Sequence, residues 1–569
     1  MNFIKSKKQF VTTLCFSLVI LFGITVSFTA IDNIVLHYVE LFFHKTLRDP
    51  ARWIDIIQNT SALCIFTLCV IYFLMYIDLG IQIKKEIQIA LAEYKKNFFL
   101  RHNFFLAFGL IFFILLTYSN IIRANFFYAD DLFRNYGGNR SWIGFSRYIS
   151  EFCSIFIHNN LKLNDIAPLS QFIAIVIAAV TVLILSVALT ESLKITSLLA
   201  LVLIFIAPFY AENISYRFDA PYMSISLFFA SVPFLFKKEK KTYICVSILS
   251  IILTCISYQA ALPLYILSVI YLFIKDFLKK ENFTKSFKFV LYSIISFVVA
   301  LVIFKLFFMN KIVVEDDSYF SSEINICSLL VNCAEYIKQT FSLNGGFLTK
   351  LLFAFSIFLL LFNVTLSTKQ NKLLTFAVVV LSIIVSYILS FGPYLVFEHP
   401  VFAARAFMGF NVFVAFIVLA LFELKTNIKP FEKVKIVSAS ILIYSCVVFL
   451  FVYGNVLKNQ NEYENFRIQL ILNDLATCTD KTNSYTISFA GKLDLCEKNR
   501  IALKNYPLLK AIVPTRLGEN SIWNEEYING YNFKCEAKKN RLSDDYSLVK
   551  KSYYHDIFRH ENDFIILLK

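Results

Sequence analysis

The sequence predicts an all-α polytopic membrane bundle of about 13 transmembrane helices followed by a small α+β extracytoplasmic domain. Three observations point there. Apolar residue types make up 58% of the 569 residues and mean hydropathy is +0.64, well above the roughly 45–50% apolar usage of a soluble globular chain. Apolar runs of a length that crosses about 30 Å of hydrocarbon recur along most of the chain. From about Gly454 the composition turns to an ordinary polar mixture.

In order, the predicted spans are 9–30, 58–79, 104–122, 168–189, 196–210, 221–236, 242–257, 260–275, 288–308, 351–366, 372–392, 405–423 and 434–453. Lys5, Lys7 and Lys8 precede the first. That run is too long for a signal-peptide core and no small-x-small cleavage site follows it, so it reads as an uncleaved span with a cytoplasmic N-terminus. Basic residues then gather in alternate loops: Lys84, Lys85, Lys95, Lys96 and Arg101; Lys194; Lys237, Lys238, Lys240 and Lys241; Lys275, Lys279 and Lys280; Lys369 and Lys372; Lys425, Lys429, Lys433 and Lys435. This is the positive-inside distribution. It assigns the net charge of +15 to topology and argues against nucleic acid as a partner. The run between Lys241 and Lys275 is lysine-flanked at both ends, and reads as a helix pair turning at Ser257, Tyr258 and Gln259.

An odd number of crossings places the tail outside with the loop 123–167. Residues 1–453 then form the membrane domain and 454–569 a periplasmic one, roughly 115 residues and enough for a small fold. Tyr485 to Ala490 alternates like a strand. Cys478 and Cys496 flank it and are expected to bridge in an oxidising compartment, leaving Cys535 unpaired. Most of the 12 cysteines lie in apolar runs. No His or Cys cluster has metal-ligand spacing, and His399 stands alone, so no metal or other cofactor is expected.

The densest chemistry follows the third span. Phe126, Phe127 and Tyr128 lead into Asp130 and Asp131, then Arg134, Tyr136 and the Gly137–Gly138 turn, with Trp142, Arg147 and Glu151 on a short amphipathic helix. Two carboxylates so close cannot both ionise freely, so one pKa should rise toward that of a general base. A guanidinium can bind a phosphate through two hydrogen bonds, although an interfacial arginine more often simply snorkels. Further segments of the same face carry Glu212, Arg217 and Asp219, whose bland reading is a local ion-pair cluster; Tyr258 and Gln259; and Arg405 at the mouth of a span. Glu315, Asp316 and Asp317 read as a solvated loop.

Phe127, Tyr128, Ala129, Asp130, Asp131, Leu132, Phe133 and Arg134, then Trp142 and Arg147, Asn213 with Ile214, Ser215, Tyr216, Arg217, Phe218 and Asp219, Ser257 with Tyr258, Gln259, Ala260 and Ala261, and Ala404 with Arg405, Ala406, Phe407, Met408 and Gly409 occur in that order. In them the chain resembles the bacterial glucosyl transferase type II family, the multispanning enzymes of phage-type O-antigen modification and serotype conversion. The resemblance implies a GT-C-like fold in the bacterial inner membrane and an inverting hexosyltransferase. It also implies a polyprenyl-phosphate-sugar donor, typically undecaprenyl phosphate glucose, and a lipid-linked polysaccharide acceptor, commonly O-antigen of lipopolysaccharide.

On this reading Asp131 or Asp130 is the base, Asp131 being favoured as the nearer to Arg134. Arg134, Trp142, Arg147, Glu212, Arg217, Asp219, Tyr258, Gln259 and Arg405 bind substrate, with Arg405 favoured for the donor phosphate. A transporter or lipid flippase is the rival reading, but it calls for Gly- and Pro-broken helices, and there are 14 Gly in 569 residues. An O-antigen polymerase is a second; the acidic first loop and the soluble tail favour a transferase.

Overall fold

The computed structural model describes residues 78–98, 101–279, 282–309, 321–324, 326–343, 345–368, 371–479, 485–519, 521–533, 535–538 and 541–569. The expected span 9–30, nearly all of 58–79, and Glu315, Asp316 and Asp317 lie outside them.

All the remaining expected spans fall on helices. In chain order these are α1 (Asp78–Phe98), α2 (Arg101–Ala124), α3 (Asp131–Gly137), α4 (Tyr148–Ile157), α5 (Leu169–Thr190), α6 (Ile195–Leu201), α7 (Leu203–Ile206), α8 (Tyr210–Ser215), α9 (Ala220–Ser231) and α10 (Lys240–Cys255). They continue as α11 (Pro263–Leu278), α12 (Phe283–Phe307), α13 (Leu329–Leu343), α14 (Phe347–Ser367), α15 (Lys372–Leu389), α16 (Met408–Glu423) and α17 (Lys429–Ala476). The break expected at Ser257, Tyr258 and Gln259 is present between α10 and α11.

Seven helices among the described residues are long and apolar enough to cross a membrane, and four apolar helices are shorter, so 13 full spans are not what the described residues display. Proline is the physical reason in two cases. Pro208 drives Ala207 extended (φ −68°, ψ 155°) and stops α7, so 195–206 rises only about 18 Å. Pro233 turns the end of α9 into a 3₁₀ segment, Val232–Phe236. Both stretches are wrapped by their neighbours: α5 packs along α9, and α16 along α6 and α7.

α17 is 48 residues long and runs straight through Gly454, where the composition changes. A Cβ at Gly454 would stand 2.5 Å from the carbonyl carbon of Asn120 on α2, so the two helices meet backbone to backbone. Asn120 secures the crossing by donating to Phe451 O at 2.5 Å and to Asn455 Oδ1 at 3.0 Å.

Two short strands, β1 (Ser321–Ile324) and β2 (Phe397–His399), pair antiparallel. The C-terminal region holds β3 (Tyr485–Ala490), where a strand was expected, with β4 (Cys535–Ala537), β5 (Ser547–Lys551), β6 (His555–His560) and β7 (Asp563–Leu568), in the order β4-β3-β7-β6-β5. This mixed sheet lays Ile487, Phe489, Ile557, Phe564 and Ile566 over Ile468, Ile471 and Leu475 of α17. Short helices α18 (Arg500–Asn505), α19 (Leu509–Ile512) and α20 (Asn524–Asn529) complete it. Leu508, Leu509 and Ile512 join the core of the membrane bundle instead.

The expected Cys478–Cys496 bridge is absent; both thiols are free. Cys478 follows the end of α17, whereas the Cys496 amide is bound to Gln460 Oε1 at 2.8 Å. Residues 460 and 476 lie about 24 Å apart along the helix, and a disulfide requires Cα atoms within about 7 Å.

Candidate active site

The loop after α2 turns sharply at Tyr128, whose carbonyl accepts the Asp131 amide at 3.0 Å. Ala129 takes φ +46° within it, and this sends the two adjacent carboxylates in different directions. Asp131 is fully buried. Its Oδ2 accepts the amides of Tyr128 at 2.9 Å and Arg217 at 3.2 Å, and its Oδ1 that of Phe218 at 3.4 Å. It staples the 128–131 turn to the link before α9. Burial pushes its pKa up to about 8, against the pull of Arg217 and of the bound amides.

Asp130, by contrast, is exposed and lines a recessed cavity of about 1040 Å³, open mouth included. Its pKa is raised by desolvation and by the Asp219 carboxylate, while Arg134, Arg405 and Arg147 pull it down. The same cavity is lined by Arg134, Arg147, Asp219, Tyr258, Gln259 and Arg405, with Phe145, Tyr216, Tyr394 and Phe397 as aromatic wall and Phe304, Met309 and Val401 as apolar lining. Seven residues singled out in the sequence, from five separate stretches, thus share one space. It lies at the end of the bundle where α11 begins. The other end of α11 carries Lys275, which is paired with Glu423 at 3.2 Å and donates to the Leu189 carbonyl at 2.6 Å.

Two buried clamps set the wall. Arg134 Nε lies 3.0 Å from Asp219 Oδ2, its guanidinium 4.0 Å over the Trp142 ring, and Trp142 Nε1 donates to Asp219 Oδ1. Trp142 is itself fixed by its amide bond to Glu151 Oε2 at 3.1 Å, and Glu151 pairs with Arg140 at 3.0 Å. In the second clamp both oxygens of Glu212 hold Arg405, one through its amide and one through Nη1, each at 2.7 Å. Trp142 and Glu212 therefore stand behind the cavity and do not line it. Asn332 of α13 supports the rim by donating to the carbonyls of Leu395 and Phe397 at 3.1 and 2.8 Å.

Arg147 stands apart from the other arginines. Arg134, Arg217 and Arg405 are each ion-paired, with Asp219, Asp165 and Glu212. Arg147 makes no ion pair among the described residues; it lies over the rings of Tyr258 at 4.6 Å and Phe145 at 5.3 Å. Gln259 fixes that corner by donating to Phe145 O at 3.1 Å.

Arg217 does not join the cavity. It pairs with Asp165 at 2.6 Å and donates to Asn125 Oδ1 at 2.7 Å, facing a separate space of about 710 Å³. Asp165, Asn125, Arg140 and Asn332 carry no sequence signal beyond being polar residues in loops or on an amphipathic helix. Among the described residues no three His, Cys, Asp or Glu side chains converge as a metal site.

The fold and site together define a bundle of apolar helices with a recessed carboxylate among guanidinium groups and aromatic rings. The profile of the family described as glucosyl transferase GtrII matches residues 120–422, more than half of the chain, and the chain belongs to that family. It is also 24% identical over 431 residues to an uncharacterized 55.3 kDa protein in the gtrB 5' region of Salmonella phage P22, an alignment covering 72% of this chain and 87% of that protein. No solved structure matches.

Proposed function

We propose that the protein transfers a hexose, glucose in the first instance, from a polyprenyl-phosphate donor to a lipid-linked surface polysaccharide such as O-antigen, on the outer face of the bacterial inner membrane and with inversion at the anomeric carbon. The observation that carries this is the presence, in one cavity, of an accessible carboxylate and a guanidinium, Arg147, that makes no direct ion pair among the described residues. Asp130 is the base: it takes the proton of the acceptor hydroxyl as that oxygen bonds to the anomeric carbon and the bond from carbon to phosphate oxygen breaks. Its raised pKa suits the role. Asp131 instead holds the loop, because its oxygens are committed to backbone amides.

The departing phosphate goes to Arg147. Arg405 and Arg134 are already ion-paired with Glu212 and Asp219, which leaves Arg147 as the cavity guanidinium with no carboxylate in direct contact among the described residues. Tyr258, Gln259 and the aromatic wall take the sugar. The lysines at the far end of α11 support a cytoplasmic assignment for that end; on this reading the cavity and the C-terminal sheet face the periplasm.

Mass and linkage analysis of the cell-surface polysaccharide with and without the protein tests the reading. The expected result is a gain of one hexose per repeat; an unchanged polysaccharide overturns it.

A further inference from the structure

We infer that the segment 508–516, outside the family-matched residues, positions the loop that carries Asp130; this rests on Asp130 being the base. Besides the bonds that Asp131 makes, the loop needs outside support, since Ala129 has φ of +46°, a value that a residue with a Cβ keeps only when its surroundings impose it.

The restraint comes from the C-terminal region. Ile512 ends α19, where a carbonyl lacks an intrahelical donor, and it accepts the hydroxyls of Tyr128 at 2.7 Å and Tyr453 at 3.3 Å. Tyr453 also bonds Ser215 at 2.9 Å, the last residue of the helix that leads to Asp219. One carbonyl is thus tied to both stretches that present the cavity's carboxylates. Four residues on, the buried Arg516 guanidinium lies 4.4 Å over the Phe126 ring. It is held by Glu464 at 2.5 Å and Asn461 at 2.9 Å. Leu132, just after Asp131, packs in the C-terminal core with Leu517 and Tyr527. None of these side chains lines the cavity, so Tyr128, Arg516 and the Ile512 carbonyl are positioning groups.

The test uses the full-length protein in lipid vesicles, with polyprenyl-phosphate glucose as donor and lipid-linked polysaccharide from the producing bacterium as acceptor. Tyr128→Phe removes one hydroxyl. The double variant Glu464→Gln with Arg516→Gln removes the cation over Phe126 without stranding a buried charge. Both should speed amide hydrogen exchange across 126–133 and lower kcat about 10- to 100-fold at unchanged donor KM, with the acid limb of the pH–rate profile displaced. Faster exchange with unchanged kcat, unchanged exchange, or activity lost only in proportion to folded protein would each overturn the inference. Wild-type turnover in Asp130→Asn would overturn the base assignment separately, since exchange across 126–133 is read without reference to it.

Discussion

Arg134 and Asp219, 85 residues apart in the chain, meet in a buried ion pair beneath the Trp142 ring, with Nε 3.0 Å from Oδ2. The pair joins the first loop to the start of α9, and the cavity has its shape only while that junction holds.

Breaking it from one side leaves the other charge buried without a counter-ion, which costs about 3–5 kcal/mol. Arg134→Leu should therefore lower the thermal unfolding midpoint in detergent and the yield of folded protein. Arg134→Lys should restore part of the loss, because a point charge cannot reproduce the planar fork over the indole. An unchanged midpoint in Arg134→Leu would show that the pair does not hold the wall.

The two neighbouring aspartates should respond differently. Asp130→Asn keeps volume and hydrogen bonding but cannot take a proton, so kcat should fall about 10²–10⁴-fold with insertion and donor binding intact. Asp131→Asn should show first as loss of folded protein, since one oxygen that accepts two amides becomes a donor or the third amide loses its acceptor. The pH dependence follows from Asp130: a base with a raised pKa is protonated at a higher pH, so activity present above that pKa is lost as pH falls through it. The acid limb of kcat/KM should therefore lie above the ordinary aspartate value of about 4 and be missing from the residual rate of Asp130→Asn.

Arg147→Ala should raise the donor KM and lower kcat together, because no second unpaired guanidinium lines the cavity among the described residues. Arg147→Lys should recover part of the activity. Donor titration in vesicles checks this. A normal titration in Arg147→Ala, with a defective one in Arg405→Ala, would move the phosphate to Arg405.

Gly454→Ala should be poorly tolerated, since the added methyl meets the Asn120 backbone at 2.5 Å. Overpacking of this kind costs about 1–3 kcal/mol. The measurement is the unfolding midpoint, with Lys458→Ala against Lys458→Gly, at an exposed position of the same helix, as the reference for change of helix propensity.

Much of this arrangement was legible in the sequence. Apolar runs marked the helices, lysine flanks marked the α10–α11 break, and alternation marked β3. Stretches dense in charged and aromatic residues marked what converges on the cavity. Which aspartate lines the cavity is not legible: Ala129 takes a positive φ between Tyr128 and the pair, and alanine gives no warning of it. Arg217 looked like Arg405, but its partners Asp165 and Asn125 come from distant loops. The helix α17 was cut at Gly454 because polarity changed there. The helix continues all the same, because Leu, Glu, Gln, Lys and Arg are interspersed among the asparagines and its buried face is packed.

That continuity has a rotational consequence. A 48-residue helix is a rod of about 72 Å in which each residue turns everything after it by about 100°. Gly454 against α2, Gln460 against Cys496, Glu464 against Arg516 and Arg467 against the Tyr554 carbonyl are therefore angular settings along one shaft. A single inserted residue between 454 and 460 would keep every side chain and every length nearly as before, yet swing the sheet a quarter-turn out of phase with the cavity it adjoins.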